Sequence, residues 1–225
     1  DRIMEDQMFL DCFGCDVDYS LGKNFADFAD QFSKDSRYRT ELYKLRRKFM
    51  SHADGLIHAD LHTSNIMASR DKMKVIDMEF AFMGPFGYDL GYLVGNLISQ
   101  YCAACFKRFP SEQSRKQFKA YLLATIKLLI ETYMKTFTLC WEKSVKERYR
   151  GQQGLLQSIL QEVMEDVPGY ASMVNWFRSV SEIPYPDFDI IEDKDAKRNA
   201  TVLSLMIDWG IMFGRYKYQS ADDLI

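Results

Sequence analysis

The stretch His58-Ala59-Asp60-Leu61-His62-Thr63-Ser64-Asn65, followed after two short apolar runs by Asp77-Met78-Glu79, gathers the chemistry-bearing side chains of this chain. Phosphoryl transfer asks little covalent chemistry of a protein. It needs a carboxylate to orient and deprotonate a hydroxyl, and oxygen ligands to hold Mg²⁺ against nucleotide phosphates. Asp60 is placed for the first task, and Asn65, Asp77 and Glu79 for the second. A lone Asp-x₄-Asn would read as an ordinary surface turn. The ordered set of His, Asp, Asn, Asp and Glu argues for a site.

Two short strands are expected to position these groups. Leu56-Ile57 enters the motif and Ile66-Met67-Ala68 leaves it, while Met73-Lys74-Val75-Ile76 runs into Asp77. With Ser69-Arg70-Asp71-Lys72 as a polar turn, the last two segments predict a β-hairpin. Its geometry puts Asn65 and Asp77 at one end, near enough to share a cation. Mg²⁺ accepts one or two protein carboxylates and completes its shell with phosphate and water, so a sparse ligand set suits it. The order H-x-D-x-x-x-x-N is that of kinase catalytic loops.

His58 to Asn65 resembles the H-G-D-L-H-x-x-N loop of the aminoglycoside phosphotransferase and choline kinase group. The stretch Ala53 to Asn96 is similar in particular to the methylthioribose kinases. The run Asp77-x-Glu79-Phe80-Ala81-Phe82 with Gly84-Pro85 carries that likeness most specifically. The resemblance implies the C-terminal lobe of a protein-kinase-like fold, with ATP as co-substrate and Mg²⁺ as cofactor. It implies Asp60 as catalytic base, Asp77 and Glu79 as metal and nucleotide ligands, and Asp89 as a structural carboxylate bonded to loop backbone. Asn65 joins the ligand set through the wider phosphotransferase pattern, since methylthioribose kinases have Gly-Ser where Ser64-Asn65 stands. Ala59 replaces the usual glycine, which is tolerable unless that backbone needs a positive φ. The substrate arginine pair of methylthioribose kinases is matched to the helix Leu205-Met206-Ile207-Asp208-Trp209-Gly210, which contains no arginine. Methylthioribose is therefore expected to be a poor substrate unless another cation, such as Arg198 or Arg215, reaches the pocket.

Upstream of the loop there is no glycine-rich strand pair, no strand lysine and no partnering helix glutamate. Only 57 residues precede His58, too few for a nucleotide-binding lobe and hinge, and the chain does not start with methionine. The expectation is one domain over residues 1–225, most of a C-terminal lobe without its N-lobe and hinge. Two functional readings stand. One is an ATP-dependent small-molecule kinase acting on 5-methylthioribose or a related sugar, or on another small alcohol of the choline or aminoglycoside type. The other is a catalytically silent kinase-like lobe used for binding or scaffolding.

With 225 residues, 47% hydrophobic, the chain is long enough to bury a substantial core. A formal net charge of −3 gives no reason to expect nucleic acid or an anionic membrane as partner. No uncharged apolar run reaches membrane-spanning length, and the N-terminus lacks signal-peptide character. Composition fits a soluble intracellular domain, and a cytoplasmic location is expected. The resemblance implies ATP and a small-molecule sugar as partners, with homodimerisation left open. The pairs Cys12/Cys15 and Cys102/Cys105 lie too far apart for a shared zinc motif, and the odd count of five favours reduced thiols.

The remainder predicts helices: Tyr38 to His52, Tyr88 to Phe106, a long helix opened by Pro110-Ser111, Gly154 to Met164 ended by Pro168-Gly169, Tyr170 to Val180, and Ala196 to Tyr216. Arg46-Arg47-Lys48 reads as a solvated face, and Ile183 to Asp187 as an extended loop. His58 and His62 are expected to brace the loop. Trp176, Phe177 and Trp209 read as core aromatics. The fold class is mainly α with a small β-hairpin.

Overall fold

The computed structural model describes residues 2–10, 23–180 and 185–225. Helix α1 (Arg2–Glu5) runs into a π turn (Asp6–Leu10), and α2 (Lys23–Lys34) and α3 (Ser36–Ser51) follow. Four three-residue strands come next: β1 (Gly55–Ile57), β2 (Ile66–Ala68), β3 (Met73–Val75) and β4 (Phe82–Gly84). The rest is helical: α4 (Tyr88–Phe106), α5 (Glu112–Ser144), α6 (Gln153–Val180), α7 (Pro186–Asp189) and α8 (Lys194–Gly214). The fold is mainly α.

Polar side chains start several of these helices. Asp35 accepts from the N–H groups of Arg37 and Tyr38 to begin α3. Ser111 accepts from Ser114 to begin α5, and Asp193 from Ala196 to begin α8. The stripe Tyr38, Leu42, Leu45 and Phe49 of α3 is buried, as its spacing predicts.

Helix α4 is the centre of the molecule and buries most of its surface against α6, with α8 and α5 packed beside it. Gly91 and Gly95 make that approach possible. A Cβ on Gly91 would stand 2.6 Å from Cβ of Tyr170, and one on Gly95 would stand 2.5 Å from the Ala171 carbonyl oxygen. A buried polar chain then links three helices. Ser99 Oγ donates to Asn175 Oδ1 (2.7 Å), and Asn175 Nδ2 donates to Asp208 Oδ1 (2.8 Å). The resulting helix stack presents the N-terminal half of α4 to the strands.

The strands form two antiparallel pairs. β2 and β3 make the predicted hairpin with Ile66 opposite Val75, and Ser69 N–H closes its turn on the Lys72 carbonyl (2.7 Å). The second pair, β1 with β4, has Ile57 opposite Phe82 and Gly55 opposite Gly84. Each of its strands is too short to show alternation, and the partners are far apart in sequence.

Other elements differ from expectation. Pro168 does not end a helix: α6 runs through it as one element to Val180. Proline has no N–H to offer the preceding turn and disturbs the carbonyls there. The Arg215 guanidinium lies against this turn, its Nη1 donating to the neighbouring Glu165 carbonyl at 3.3 Å. Arg46 and Lys48 are not a solvated face. Arg46 pairs with Glu5, and Lys48 bridges Glu162 (3.1 Å) and Asp166 (2.8 Å) on α6. Pro186 opens the short α7 at its first position, where a missing N–H costs nothing, instead of lying in a wholly extended loop. Cys102 and Cys105 are free thiols on α4, whereas Cys12 and Cys15 lie outside the described residues.

Candidate active site

The loop between β1 and β2 is fixed from α4. Asp89, in the first turn of that helix, accepts from the backbone N–H of His58 (Oδ2, 2.6 Å) and of Ala59 (Oδ1, 2.9 Å). One turn before Gln100, Asn96 accepts from Thr63 N–H at its Oδ1 (2.9 Å). The loop is thus held at both ends by side chains of a rigid, buried helix. Burial pushes the Asp89 pKa above its ordinary value, against the two N–H groups that favour the carboxylate.

Ala59 has φ of 69° and Asp77 has φ of 66°, both in the left-handed region. Each departs from the usual non-glycine range at a cost of roughly 1–3 kcal/mol, and such strain collects at functional sites. The backbone at Ala59 therefore does adopt a positive φ, and the Asp89 hydrogen bonds to the two successive N–H groups leading into its Cα hold it there.

Asp60 follows at once. Its backbone N–H donates to His58 Nδ1 (3.3 Å), while His58 Nε2 lies 2.8 Å from the Ile76 carbonyl. That pattern assigns the His58 proton to Nε2 and ties the loop to the strand leading into Asp77. His62 Nε2 lies 3.4 Å from Asp60 Oδ2, and Tyr92 donates to the same carboxylate. Burial alone would raise the Asp60 pKa. The hydrogen bonds from His62 and Tyr92, with the nearby imidazoles, outweigh it and leave the pKa below its usual value. Asp60 is consequently an ionised carboxylate at neutral pH.

Asn65 is buried and donates from Nδ2 to the Asp60 carbonyl (3.0 Å), with a longer contact of 3.5 Å to Asp60 Oδ2. Its own carbonyl accepts from Ile76 N–H (3.0 Å), which sets Asp77 one residue beyond the partner of Asn65. Asp77 and Glu79 are exposed. Among the described residues neither carboxylate has a hydrogen bond or ion pair, and no group of three or more His, Cys, Asp or Glu is arranged to hold a metal. Unpaired carboxylates are the ligand type Mg²⁺ takes sparingly, with phosphate and water completing its shell.

A cavity of about 420 Å³ opens over the loop, with Asp60, His62 and Ser64 on one side. Phe80, Tyr92, Phe177 and Tyr185 give it aromatic walls, Met4 and Met8 add thioethers, and Arg178 contributes its cation. The turn Leu205 to Gly210 is not among these walls. Leu205 and Asp208 are wholly buried in the helix stack. Arg198 pairs with Asp195 on its own helix, and Arg215 is held under α3 by Glu41. The arginine that shares the cavity with Asp60 is Arg178, and Phe177 lines that cavity as well as packing in the core.

Arg178, Tyr92 and Asn96 were not found from the sequence. Arg178 is more than a hundred residues beyond Asp60 and belongs to no local pattern. Asn96 had a usable signal, a lone carboxamide within the apolar run Leu90 to Ile98.

Residues 17–127 match the model of the phosphotransferase enzyme family. The chain is 30% identical over 223 residues to a methylthioribose kinase of Geobacillus sp. (strain WCH70), covering 99% of this chain and 53% of that protein. It is 32% identical to the methylthioribose kinase of Geobacillus thermodenitrificans, over 99% of this chain and 54% of the relative. With the methylthioribose kinase of Yersinia enterocolitica it shares 28% identity over 85% of this chain and 48% of the relative. The chain spans about half the length of the curated relatives it matches. The chain is thus similar over nearly its whole length to methylthioribose kinases, and over residues 17–127 to the phosphotransferase enzyme family.

Proposed function

We propose that this chain forms the acceptor-binding, catalytic lobe of an ATP-dependent small-molecule kinase that phosphorylates a sugar hydroxyl, with 5-methylthioribose or a related sugar as substrate. The observation that carries the reading is the ionised Asp60 in the lining of a cavity that Arg178 also lines. In this reading the acceptor hydroxyl donates its hydrogen bond to Asp60, which orients the oxygen and takes the proton as the phosphoryl group arrives. His62 and Tyr92 hold the carboxylate in place while it waits. Asn65, Asp77 and Glu79 would hold Mg²⁺, which when bound offsets the negative charge of the nucleotide phosphates.

The cavity suits a sugar that carries an apolar substituent. Arg178 and Ser64 offer donors to hydroxyl groups, and the aromatic and thioether walls take an alkyl or thioether tail. The names of the relatives agree with that shape. The test is phosphate transfer by the full-length protein from Mg²⁺-ATP to methylthioribose, other pentoses, choline and an aminoglycoside. Preference for methylthioribose or a close analogue is expected. Transfer to choline or the aminoglycoside alone would reject the sugar, and transfer to none of the four would reject the kinase reading.

A further inference from the structure

We infer that Asp187 is a positioning residue that fixes the Arg178 guanidinium toward the acceptor cavity. The inference rests on the kinase reading for its effect on turnover, though not for the geometry. Arginine has a long, freely rotating side chain, and a guanidinium that binds a neutral hydroxylated ligand is useful only if its orientation is set beforehand. Arg178 stands in the last turn of α6. Asp187 Oδ2 accepts from its Nε (2.7 Å) and from its Nη2 (2.5 Å). The other oxygen, Oδ1, accepts from Gln100 Nε2 on α4. The Tyr185 ring lies against the guanidinium, 4.5 Å from centroid to Cζ.

Asp187 is 4% exposed, and both its oxygens are engaged within the protein. It is therefore no ligand for a substrate. What it leaves is the Nη1 edge of Arg178, which makes no hydrogen bond among the described residues while Arg178 lines the cavity. Gln100 follows Asn96 by four positions on α4, so both project from the same face of one helix. Asn96 holds the catalytic loop at Thr63, and Gln100 holds the clamp. The separation between Asp60 and the free edge of Arg178 is set through that single helix turn.

A buried pair that only stabilised the fold would affect all kinetic constants or none. A clamp for the acceptor cation affects one. In the full-length protein, Asp187→Asn keeps the shape and removes the charge. The expected result is an acceptor KM raised about 10- to 100-fold, the scale at which a misplaced positioning group acts, with nucleotide KM within about twofold of wild type. Asp187→Glu should recover part of the loss, and Arg178→Lys combined with Asp187→Asn should add little to either single change. An unchanged acceptor KM, or an equal rise in nucleotide KM, would overturn the inference. Gln100→Leu, which leaves the ion pair intact, serves if Asp187→Asn does not fold, and should give a smaller rise in acceptor KM alone. Nitrogen-15 NMR of the Arg178 Nε–H separates the two claims. A slowly exchanging signal that is lost in Asp187→Asn (or weakened in Gln100→Leu) supports the clamp even if no tested acceptor is phosphorylated. A signal already in fast exchange in the wild-type protein refutes it.

Discussion

Replacing Asp89 tests how the loop that carries Asp60 is held. Asp89→Ala leaves the N–H groups of His58 and Ala59 without their acceptor, in a part-buried loop whose Ala59 is fully buried. Each unsatisfied donor costs about 1–3 kcal/mol, giving about 2–6 kcal/mol for the pair. Burial already raises the Asp89 pKa, so desolvation of the carboxylate offsets part of what the bonds supply. The lower half of that range, about 2–4 kcal/mol, is therefore the expected loss. For a chain of this size that corresponds to a fall in Tm of about 4–16 °C. Asp89→Asn retains one acceptor and should lose roughly half as much. Thermal unfolding followed by circular dichroism, alongside turnover, reads both variants. Turnover should fall in each, because the loop that carries Asp60 is no longer fixed to α4. If Asp89→Ala left Tm and turnover unchanged, the clamp would not be what holds Ala59 at its positive φ.

Gly95→Ala places a methyl group against the Ala171 carbonyl at 2.5 Å, and should destabilise the α4–α6 contact by about 1–3 kcal/mol, seen in urea unfolding. An unperturbed midpoint would show that the helices can separate freely. Asp208 is fully buried, and burial lifts its pKa well above 3.8, with the Asn175 amide opposing only in part. The native state then binds the proton more tightly than the unfolded state, so this residue's contribution to stability falls as pH rises beyond about 3.8 toward the raised value. Asp208→Asn should flatten that decline in urea midpoints followed upward from pH 3.8, and parallel profiles would refute the assignment. The lowered pKa of Asp60 predicts that kcat/KM keeps its base ionised down to the acid side of 3.8. An acid limb near neutrality that vanished with Asp60→Asn would contradict it.

Much of this architecture was legible in local pattern. The hairpin β2–β3, the bounds of α4 and the buried stripe of α3 each follow from short apolar runs, turn residues or helical spacing within a short window. The loop from His58 to Asn65 was legible because residue types and spacing together suit one chemistry. What escaped depends on contacts between distant segments. Pro168 reads as a helix breaker until α6 is seen packed along its length against α4 and α8, contacts from distant segments that hold the helix continuous. β4 is invisible without β1. The substrate arginine was sought on α8, where Asp208 is in fact sunk in the core, while Arg178 reaches the cavity because α6 ends beside the loop. Arg46 and Lys48 looked like solvent-facing charges, since nothing nearby in sequence discloses Glu5, Glu162 or Asp166.

The assignment of Asp60 as the base is tested most directly by Asp60→Asn in the full-length protein, assayed with Mg²⁺-ATP and its preferred acceptor. The amide keeps the size of the side chain and can still meet Tyr92, but it cannot take a proton. The prediction is a loss of kcat of about 10²–10⁴-fold, with nucleotide affinity by calorimetry nearly unchanged. Near-normal turnover by Asp60→Asn would contradict the account.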